Sequence, residues 1–413
     1  MRTSSLMQAY QRLPIRFSHG KGARLWDEDG REYLDAIAGV GVTNLGHAHP
    51  DITRVITKQA ARLLHTSNMF EIAEQERVGH ELCQHTGMER VFFCNSGAEA
   101  NETALKIARL HSTRQGHTTP TIVVMNNAFH GRTMATLAAT GSSSAHQGYA
   151  PLMPGFIRVP LNDIATLNEL AASNRPSNRQ IGAVLLEAVQ GEGGIRSAND
   201  DYLRALRALC DQHNWLLIVD EIQSGLGRTG AWFAFQHAGI QPDIVTLAKG
   251  LGNGFPMGAC LARGAAAGYF APGNHGSTFG GNPLACRIAS EVLRITHENR
   301  LPQPAATLGK QLMKQLQTSL EGVPGVVAIR SRGLMVGIEM ENDCTDLVVR
   351  AFREQRLVIT VTRRKTIRLR PPLIFTSNDI DDLVWRLERL LSPSSLLDLR
   401  RSGCKSRSSP TGC

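Results

Sequence analysis

Two residues that could carry covalent chemistry follow neighbouring apolar runs in the middle of the sequence. Asp220 comes directly after the run 216–219, and Lys249 follows the run 243–247 after one intervening residue. Such runs predict buried strands, and open α/β sheets bind ligands outside the carboxyl ends of their strands. A lysine amine can condense with an aldehyde, and a carboxylate can keep a pyridine nitrogen protonated so that the ring withdraws electrons. The two residues together therefore indicate pyridoxal chemistry.

A phosphate site is predicted where the strand-like run 91–94 turns into a helical pattern. The turn contains Asn95, Ser96 and Gly97, and the helical pattern extends from about 98 to 110. A helix N-terminus offers free amide hydrogens and the positive end of the helix dipole to an anion, and a glycine there lets the backbone approach closely. A phosphate turn, a ring-binding carboxylate and a reactive lysine indicate pyridoxal 5'-phosphate as the cofactor.

A glycine-rich segment downstream of the 216–219 run supports a rival enzyme class. Gly225, Gly227 and Gly230 match GxGxxG, the pyrophosphate-binding pattern of nicotinamide-dependent dehydrogenases. That fingerprint needs its first glycine at the strand end, whereas Asp220 and Glu221 would here lie beside the pyrophosphate. We interpret the match as accidental. The P-loop pattern GxxxxGK[ST] does not occur in the sequence.

The elements that must position these residues alternate through the middle of the chain. Strand-like runs and helical patterns in turn predict an α/β layer with a mostly parallel central sheet. Beyond about residue 290 the pattern becomes that of a smaller α+β domain. The predicted strands lie at 91–94, 121–125, 182–187, 216–219, 243–247, 325–330, 334–339, 357–362 and 366–369, and the predicted helices at 98–110, 200–213, 303–320, 345–354 and from 378.

The length of 413 residues exceeds what one hydrophobic core usually supports, so more than one domain is expected. We predict a large cofactor-binding domain over 51–290 and a small α+β domain over 291–392. The segment 1–50 is expected to contribute to the small domain. The basic, Ser/Gly/Pro-bearing tail 393–413 is predicted to be disordered.

Composition bears on the remaining function classes. The net charge of +9 raises the alternative of a nucleic-acid-binding protein, but part of it lies in the tail and aromatic residues make up only 5%, too few for base stacking. No apolar stretch is long enough for a membrane span, and the first residues lack the apolar core of a signal peptide. The protein is therefore expected to be cytoplasmic and to bind small molecules, without nucleic acid or membrane partners.

Cysteine and histidine positions predict neither disulfides nor a metal site. The cysteines stand singly, without a CxxC pair, as is typical of reduced thiols. His47 and His49 have no cysteine or carboxylate at ligand spacing, so we interpret them as loop residues.

Six motifs in order resemble the class III (ornithine/acetylornithine-type) aminotransferases of fold type I, over about residues 30–390. This resemblance implies a PLP-dependent transferase, with a large domain around a mostly parallel sheet and a smaller α+β domain. Ala188 departs from the proline usual in the family, and the tail matches nothing. The motifs are FFCNSGAEANE (92–102), AFHGRT (128–133), EAVQGEGG (187–194), LIVDEIQSGLGRTG (217–230), LAKGLGNG (247–254) and GSTFGGNP (276–283).

The resemblance also implies a role for each matched residue around the cofactor. Lys249 would form the Schiff base and move protons, and Asp220 would pair with the pyridine nitrogen. The other cofactor contacts would be Gly97 and Ala98 (backbone amides to the phosphate), Phe129 (stacking on the ring), Gln223 (the phenolic oxygen) and Thr278 (the phosphate of the neighbouring subunit in a homodimer with shared active sites).

On the substrate side, the resemblance implies four binding residues. Ser277 would face the substrate, and Arg132 would grip a substrate carboxylate through its guanidinium fork. Glu192 and Arg368 would form a switchable ion pair, closed while the amino donor binds and opened by glutamate.

Within the family, the resemblance is closest to the enzymes that transfer the δ-amino group of N2-acetyl-L-ornithine to 2-oxoglutarate in arginine biosynthesis. Ornithine, succinylornithine and succinyldiaminopimelate remain the alternative donors. The discriminating residue is Val40, which stands where the ornithine enzymes typically have a tyrosine that helps to hold the free α-amine. Acyl-group preference and a second role in lysine biosynthesis stay open.

Overall fold

A computed structural model of the protein describes residues 5–173 and 180–392. The expectation about the tail 393–413 therefore falls outside the described residues. Within them the strands are β1 (Phe17–Lys21), β2 (Arg24–Asp27), β3 (Glu32–Asp35), β4 (Arg90–Cys94), β5 (Pro120–Met125), β6 (Phe156–Val159), β7 (Gln180–Glu187), β8 (Val189–Gln190), β9 (Arg196–Ser197), β10 (Leu216–Asp220), β11 (Ile244–Leu247), β12 (Gly258–Ala262), β13 (Val326–Arg332), β14 (Met335–Met340), β15 (Leu357–Val358), β16 (Thr360–Thr362) and β17 (Thr366–Leu369).

The helices surround these strands, and two short 3-10 turns, Ala234–Ala238 and Lys249–Leu251, follow β10 and β11. The α-helices are α1 (Ala38–Gly41), α2 (Pro50–Ala60), α3 (Ala73–Thr86), α4 (Gly97–Arg114), α5 (Met134–Ala139), α6 (Ser143–His146), α7 (Ile164–Ser173), α8 (Asp200–His213), α9 (Gly264–Ala267), α10 (Pro283–Glu298), α11 (Pro302–Ser319), α12 (Leu347–Gln355) and α13 (Ser377–Leu391).

A seven-stranded sheet in the order β4-β12-β11-β10-β7-β5-β6 forms the centre of the fold. The pairs from β11 through to β6 are parallel, whereas β12 runs antiparallel to both of its neighbours. Every residue of β10 and β11 is buried, as expected for strands covered on both faces by helices. The expected α/β fold with a mostly parallel central sheet is thus confirmed. The carboxyl ends of β4, β11 and β10 share one edge.

The antiparallel strand β12 was missing from the sequence expectations. It is short, contains a glycine at its start and follows a glycine-rich loop, so its pattern resembles a turn region. Its pairing with β4 on one side and β11 on the other places it inside the sheet. Only these contacts between residues distant in the chain show that the segment is a strand.

The N-terminal strands pack with the C-terminal part of the chain. β3 pairs in parallel with β15, and the core beside them joins residues of α2, α10, α11 and α13 to the sheet β13-β14-β17-β16. The predicted division into a small domain (1–50 and 291–392) and a large one (51–290) stays a proposal. The same core also contains residues of α2 and of the first part of α10, which lie on the large-domain side of these boundaries. Among the described residues, no helix is long and apolar enough to cross a membrane.

Asp35, the last residue of β3, fixes the backbone of the turn that leads from β3 into α1. One of its carboxylate oxygens accepts hydrogen bonds from the backbone N–H groups of Ile37 and Ala38, both at 2.9 Å. The other lies 2.8 Å from Nε2 of His47. The Asp35 side chain is buried, so its removal would leave buried donors without partners.

We predict that Asp35→Ala lowers the free energy of unfolding by about 2–3 kcal/mol, because two backbone donors and an imidazole lose their acceptor. Urea denaturation followed by circular dichroism measures the change. Asp29→Ala, whose side chain is 70% exposed, is the matched control and should stay within about 0.5 kcal/mol of the unmodified protein. Equal effects of the two substitutions would contradict this role of Asp35.

Candidate active site

A cavity of about 400 Å³ lies at the carboxyl ends of β10 and β11, beside the start of α4. Its position follows the rule that open α/β sheets bind ligands at this edge. Seven of the residues predicted from sequence line it: Gly97, Ala98, Phe129, Arg132, Asp220, Gln223 and Lys249.

Asp220 is the last residue of β10, and its carboxylate is buried with partners at both oxygens. Oδ2 accepts a hydrogen bond from Nδ2 of Asn101 and lies 2.8 Å from Nδ1 of His130. Oδ1 accepts from the backbone N–H of Ile222 at 3.0 Å. A buried carboxylate without such partners would be strongly destabilised. The three contacts hold the carboxylate in one orientation at the cavity wall.

Asn101 is the partner of Asp220 that reaches deepest into the fold. Its amide nitrogen also donates to the backbone oxygen of His130, and its amide oxygen accepts from the hydroxyl of Thr246 on β11, each at 2.8 Å. Asn101 therefore links α4, the loop after β5 and two central strands around one carboxylate.

Lys249 follows β11 in a left-handed backbone conformation with φ of 44°. Burial and, to a smaller extent, the guanidinium of Arg370 lower the pKa of its amine to about 7, against the opposing effects of Glu192 and Asp220. At neutral pH a large fraction of this amine is unprotonated and nucleophilic, as condensation with an aldehyde requires.

The turn before α4 has the geometry predicted for an anion site. The hydroxyl of Ser96 caps the helix by accepting from the N–H of Glu99 at 3.2 Å. The N–H groups of Gly97 and Ala98 belong to the first turn, where a helix provides no acceptor, and both residues line the cavity. A Cβ on Gly97 would come within 2.8 Å of the Ile222 side chain, so only glycine fits there without displacement.

Phe129 and Arg132 form the wall contributed by the loop after β5. The guanidinium carbon of Arg132 lies 5.5 Å from the centre of the Phe129 ring. The N–H of Phe129 donates to Glu187 Oε2 at 3.0 Å, which fixes the backbone of this loop. Burial raises the pKa of Glu187 to about 7, against the opposing effect of His130. The ring of Phe129 is thus held beside Asp220 and Lys249.

Glu192 and Arg368 form an ion pair, and both charges act on the amine of Lys249. The predicted opening of this pair by glutamate stays a prediction. Burial raises the pKa of Glu192, but Arg368 outweighs this effect and the pKa lies below its ordinary value. Arg368 also donates from Nε to the hydroxyl of Thr360 at 3.3 Å, and the Thr362 hydroxyl donates to the Glu192 backbone oxygen at 2.6 Å. The pair therefore connects the segment after β8 to β16 and β17.

Five residues expected at the site do not line this cavity in the single chain: Glu192 and Arg368, described above, and Ser277, Thr278 and Val40. Ser277 accepts from Nδ2 of Asn95 at 3.2 Å and from the N–H of Gly280, in a neighbouring surface cavity. Thr278 is exposed on the same loop. Val40, the residue expected to discriminate between donors, is not among the lining residues, and its role stays a prediction; the nearby Val42 does line the cavity. The predicted roles of Ser277 and Thr278 stay predictions.

The sequence pattern of the family described as Aminotransferase class-III matches residues 6–391. The chain belongs to the class-III aminotransferases. It is 48% identical to an acetylornithine aminotransferase from Nitrosomonas europaea over 94% of this chain and 98% of the relative. Identity to an acetylornithine aminotransferase from Aquifex aeolicus is 42%, over 94% and 99%.

Solved structures of class-III aminotransferases agree with this assignment. An ornithine aminotransferase from Toxoplasma gondii superposes with a TM-score of 0.89 at 34% identity, covering 96% of this chain and 94% of that one. An acetylornithine aminotransferase from Elizabethkingia anophelis gives a TM-score of 0.83 at 33% identity, covering 93% and 95%. The chain is thus a PLP-dependent aminotransferase of fold type I.

The cavity fits pyridoxal phosphate in the chemistry of its donors. The first-turn N–H groups of Gly97 and Ala98 suit a phosphate, the engaged carboxylate of Asp220 suits a protonated ring nitrogen, and the amine of Lys249 suits an aldehyde. The Phe129 side chain offers an apolar ring face at the same wall.

Sequence reasoning missed several residues that the structure brings to this class-III site. Asn101 and His130 lie within motifs that were recognised, but only their contacts with Asp220 show their importance. Glu187 begins a recognised motif, and its burial distinguishes it from a surface carboxylate. Arg370 stands two residues after Arg368, and nothing in the sequence separates it from other arginines of the chain.

We predict that Lys249 in the cofactor-free protein reacts with an amine-specific acylating reagent with a midpoint at a pH of about 7 rather than 10.5, because burial favours the neutral amine. Mass spectrometry of the Lys249 peptide across a pH series measures it. The urea-unfolded protein, in which the burial is lost, is the matched control and should show the higher midpoint. Similar midpoints in the folded and unfolded protein would contradict the electrostatic argument.

Proposed function

We propose that this aminotransferase transfers the δ-amino group of N2-acetyl-L-ornithine to 2-oxoglutarate in arginine biosynthesis. The products would be N-acetyl-L-glutamate 5-semialdehyde and L-glutamate. The observation that carries the proposal is near-full-length identity of 48% and 42% to the two acetylornithine aminotransferases described above. A cytoplasmic location stays a prediction.

The chemistry at the reacting carbon would be performed by Lys249. Bound pyridoxal phosphate supplies an aldehyde that carries the amino group and a ring that withdraws electrons. The Lys249 amine would take a proton from the δ-carbon of the donor and return one to the cofactor side. A base works best when its pKa is near the working pH, and burial has brought this amine to about 7.

The role of Asp220 would be to keep the ring nitrogen protonated. Its hydrogen bonds with Asn101 and Ile222, and its contact with His130, hold the carboxylate at the cavity wall. The negative charge then faces the site of the positive ring nitrogen without the cost of reorientation during the reaction.

Recognition of the two substrates would alternate at the Glu192–Arg368 pair. While the pair is closed, Arg368 is masked from the donor's α-carboxylate, and the acetylated donor can bind with its δ-amine at the cofactor. The α-carboxylate of glutamate would displace Glu192 and bind Arg368 instead. Arg132, which lines the cavity and is exposed, is suited to hold the other carboxylate of the acceptor.

A homodimer with shared active sites is part of the proposal. Leu63, Leu64, Met69, Phe70 and Phe279 form an apolar surface in which each side chain is 48–83% exposed. Asn68 joins its two loops by donating to the backbone oxygens of Ser277 and Gly280. A monomer seldom leaves such a surface uncovered. A second copy packed here would bring Thr278, on the same loop, towards its neighbour's phosphate turn.

Ornithine is the second candidate donor, favoured by the similarity to the ornithine aminotransferase structure from Toxoplasma gondii. The cavity wall argues for the acetylated donor. A free α-ammonium beside the apolar side chain of Val42 would lose water without a new partner, at a cost of about 1–3 kcal/mol. An acetylated nitrogen carries no charge and avoids this cost.

We predict that acetylornithine exceeds ornithine at least about tenfold in kcat/KM, since ~1.4 kcal/mol gives that factor. Steady-state assays with 2-oxoglutarate as the acceptor measure it, with succinylornithine and succinyldiaminopimelate in parallel. Val42→Thr, which adds a hydroxyl at similar volume, should narrow the preference for acetylornithine over ornithine.

Lys249→Ala should abolish turnover of every donor. Ornithine reacting as fast as acetylornithine would refute the proposed donor.

We predict that Glu192→Ala lowers kcat/KM of the amino-donor half-reaction about tenfold. The unmasked Arg368 would then bind the donor's carboxylate and hold the donor in an unproductive position. The glutamate half-reaction should hold or improve, since no ion pair has to open. Rapid-mixing absorption measurements follow the two half-reactions separately. Glu354→Ala breaks a glutamate–arginine pair on α12 and is the control that should change neither. Equal losses in both half-reactions after Glu192→Ala would indicate a structural ion pair instead.

A further inference from the structure

Arg370 is a fully buried arginine immediately after β17. Its backbone N–H donates to the oxygen of Ala36 at 2.8 Å, and its side chain passes Gly41, where an added Cβ would lie 3.6 Å from Cδ. Nη1 donates to Oε1 of Gln223. Within residues 5–173 and 180–392, Nε and Nη2 have no hydrogen-bond partner. A buried guanidinium with so few contacts is costly, so its retention needs an explanation.

The contact with Arg370 determines which end of the Gln223 amide can bind a ligand. A guanidinium has only donors, so the atom it contacts must be the amide oxygen of Gln223. The backbone of Gly191 also lies close to the Gln223 amide. A Cβ added at Gly191 would come within 2.1 Å of the amide oxygen. Gln223 lines the cavity, and its amide nitrogen is the atom left to donate to a ligand oxygen.

Arg370 also contributes to the charge around Lys249. Four charged groups act on this amine: Arg370 and Arg368 disfavour its protonation, and Glu192 and Asp220 favour it. Arg368 and Glu192 pair with each other, and Asp220 is held by Asn101 and His130. Burial and the neighbouring Arg368 guanidinium lower the pKa of Arg370, against the opposing effect of Glu192. A guanidinium nevertheless keeps its proton in proteins, and among the described residues Arg370 forms no ion pair with a carboxylate.

We propose that Arg370 is a positioning residue, which fixes Gln223 as a hydrogen-bond donor to the ring oxygen of bound pyridoxal phosphate and keeps a positive charge beside Lys249. The inference rests on the proposed roles of Gln223 and Lys249, and it is independent of which amino donor the enzyme uses. A single side chain would thus align the donor to the cofactor and favour the neutral form of the reactive amine.

The test uses Arg370→Met, which keeps length but removes charge and donors, and Arg370→Lys, which keeps the charge without the planar fork. In Arg370→Met, the labelling midpoint of Lys249 in the cofactor-free protein should rise by about one unit. The affinity for pyridoxal phosphate, measured by fluorescence titration, should fall about tenfold. Arg370→Lys should keep the labelling midpoint of Lys249 unchanged but should lower the affinity for pyridoxal phosphate as Arg370→Met does.

A double-mutant cycle decides whether Arg370 affects the affinity for pyridoxal phosphate through Gln223. The cycle is measured at a pH of about 9, where the Lys249 amine is largely neutral with or without Arg370. With Gln223→Ala already present, Arg370→Met should then weaken cofactor binding less than about twofold. The matched control is Arg228→Met: Arg228 is equally buried but donates to Asn44 and the Pro371 backbone oxygen, so its loss should lower Tm without changing affinity or midpoint.

The proposal is overturned if Arg370→Met behaves like Arg228→Met, or if its effect on affinity is undiminished in the Gln223→Ala protein. Should Arg370→Met fail to fold, Arg370→Lys decides, since unchanged cofactor affinity in that variant would overturn the positioning role. All these measurements are made without an amino donor. A failed donor assignment would therefore leave them unchanged.

Discussion

The burial of one negative charge at the end of β10 constrains the rest of the active site. The Asp220 carboxylate lies in the interior, where an unpaired charge is strongly disfavoured, so the surrounding elements must provide partners. Asn101 comes from α4, His130 from the loop after β5, and the N–H of Ile222 from the chain that follows. The same three segments form the walls of the cavity. Satisfying this carboxylate therefore also places the turn before α4 and the side chain of Phe129.

Burial shifts the acid–base behaviour of the cavity in opposite directions for acids and amines. Desolvation raises the pKa of Glu187 to about 7 and lowers that of Lys249 to about 7. Both groups therefore titrate near neutrality, although their ordinary values differ by several units. The two arginines at 368 and 370 differ in their partners. Arg368 forms an ion pair with the carboxylate of Glu192, whereas Arg370 donates to the amide oxygen of Gln223.

Much of the site could be predicted because its chemistry lies at strand ends. Asp220 ends β10, and Lys249 and Gly97 stand shortly after β11 and β4, so local patterns place them at one edge of a mostly parallel sheet before any contact is known. Asn101 and Arg370 could not be found in this way. Their roles come from contacts with residues far away in the chain, and an asparagine within a helix or an arginine after a strand gives no local signal. The role of Thr278 likewise gives no local signal, since the predicted contact of its exposed loop is with another subunit.

The antiparallel strand β12 also has a consequence for the entropy of the reactive lysine. Leu247 pairs with Ala259, so the loop that carries Lys249 is closed at both ends by neighbouring strands of one sheet. A short loop with fixed ends loses much of its conformational freedom when the sheet forms, and little remains to be lost when a ligand binds. Within this loop, Lys249 has a left-handed backbone conformation and begins a 3-10 turn. Folding thus orders the nucleophile in advance, and the free energy of substrate binding remains available for selecting and aligning the substrate.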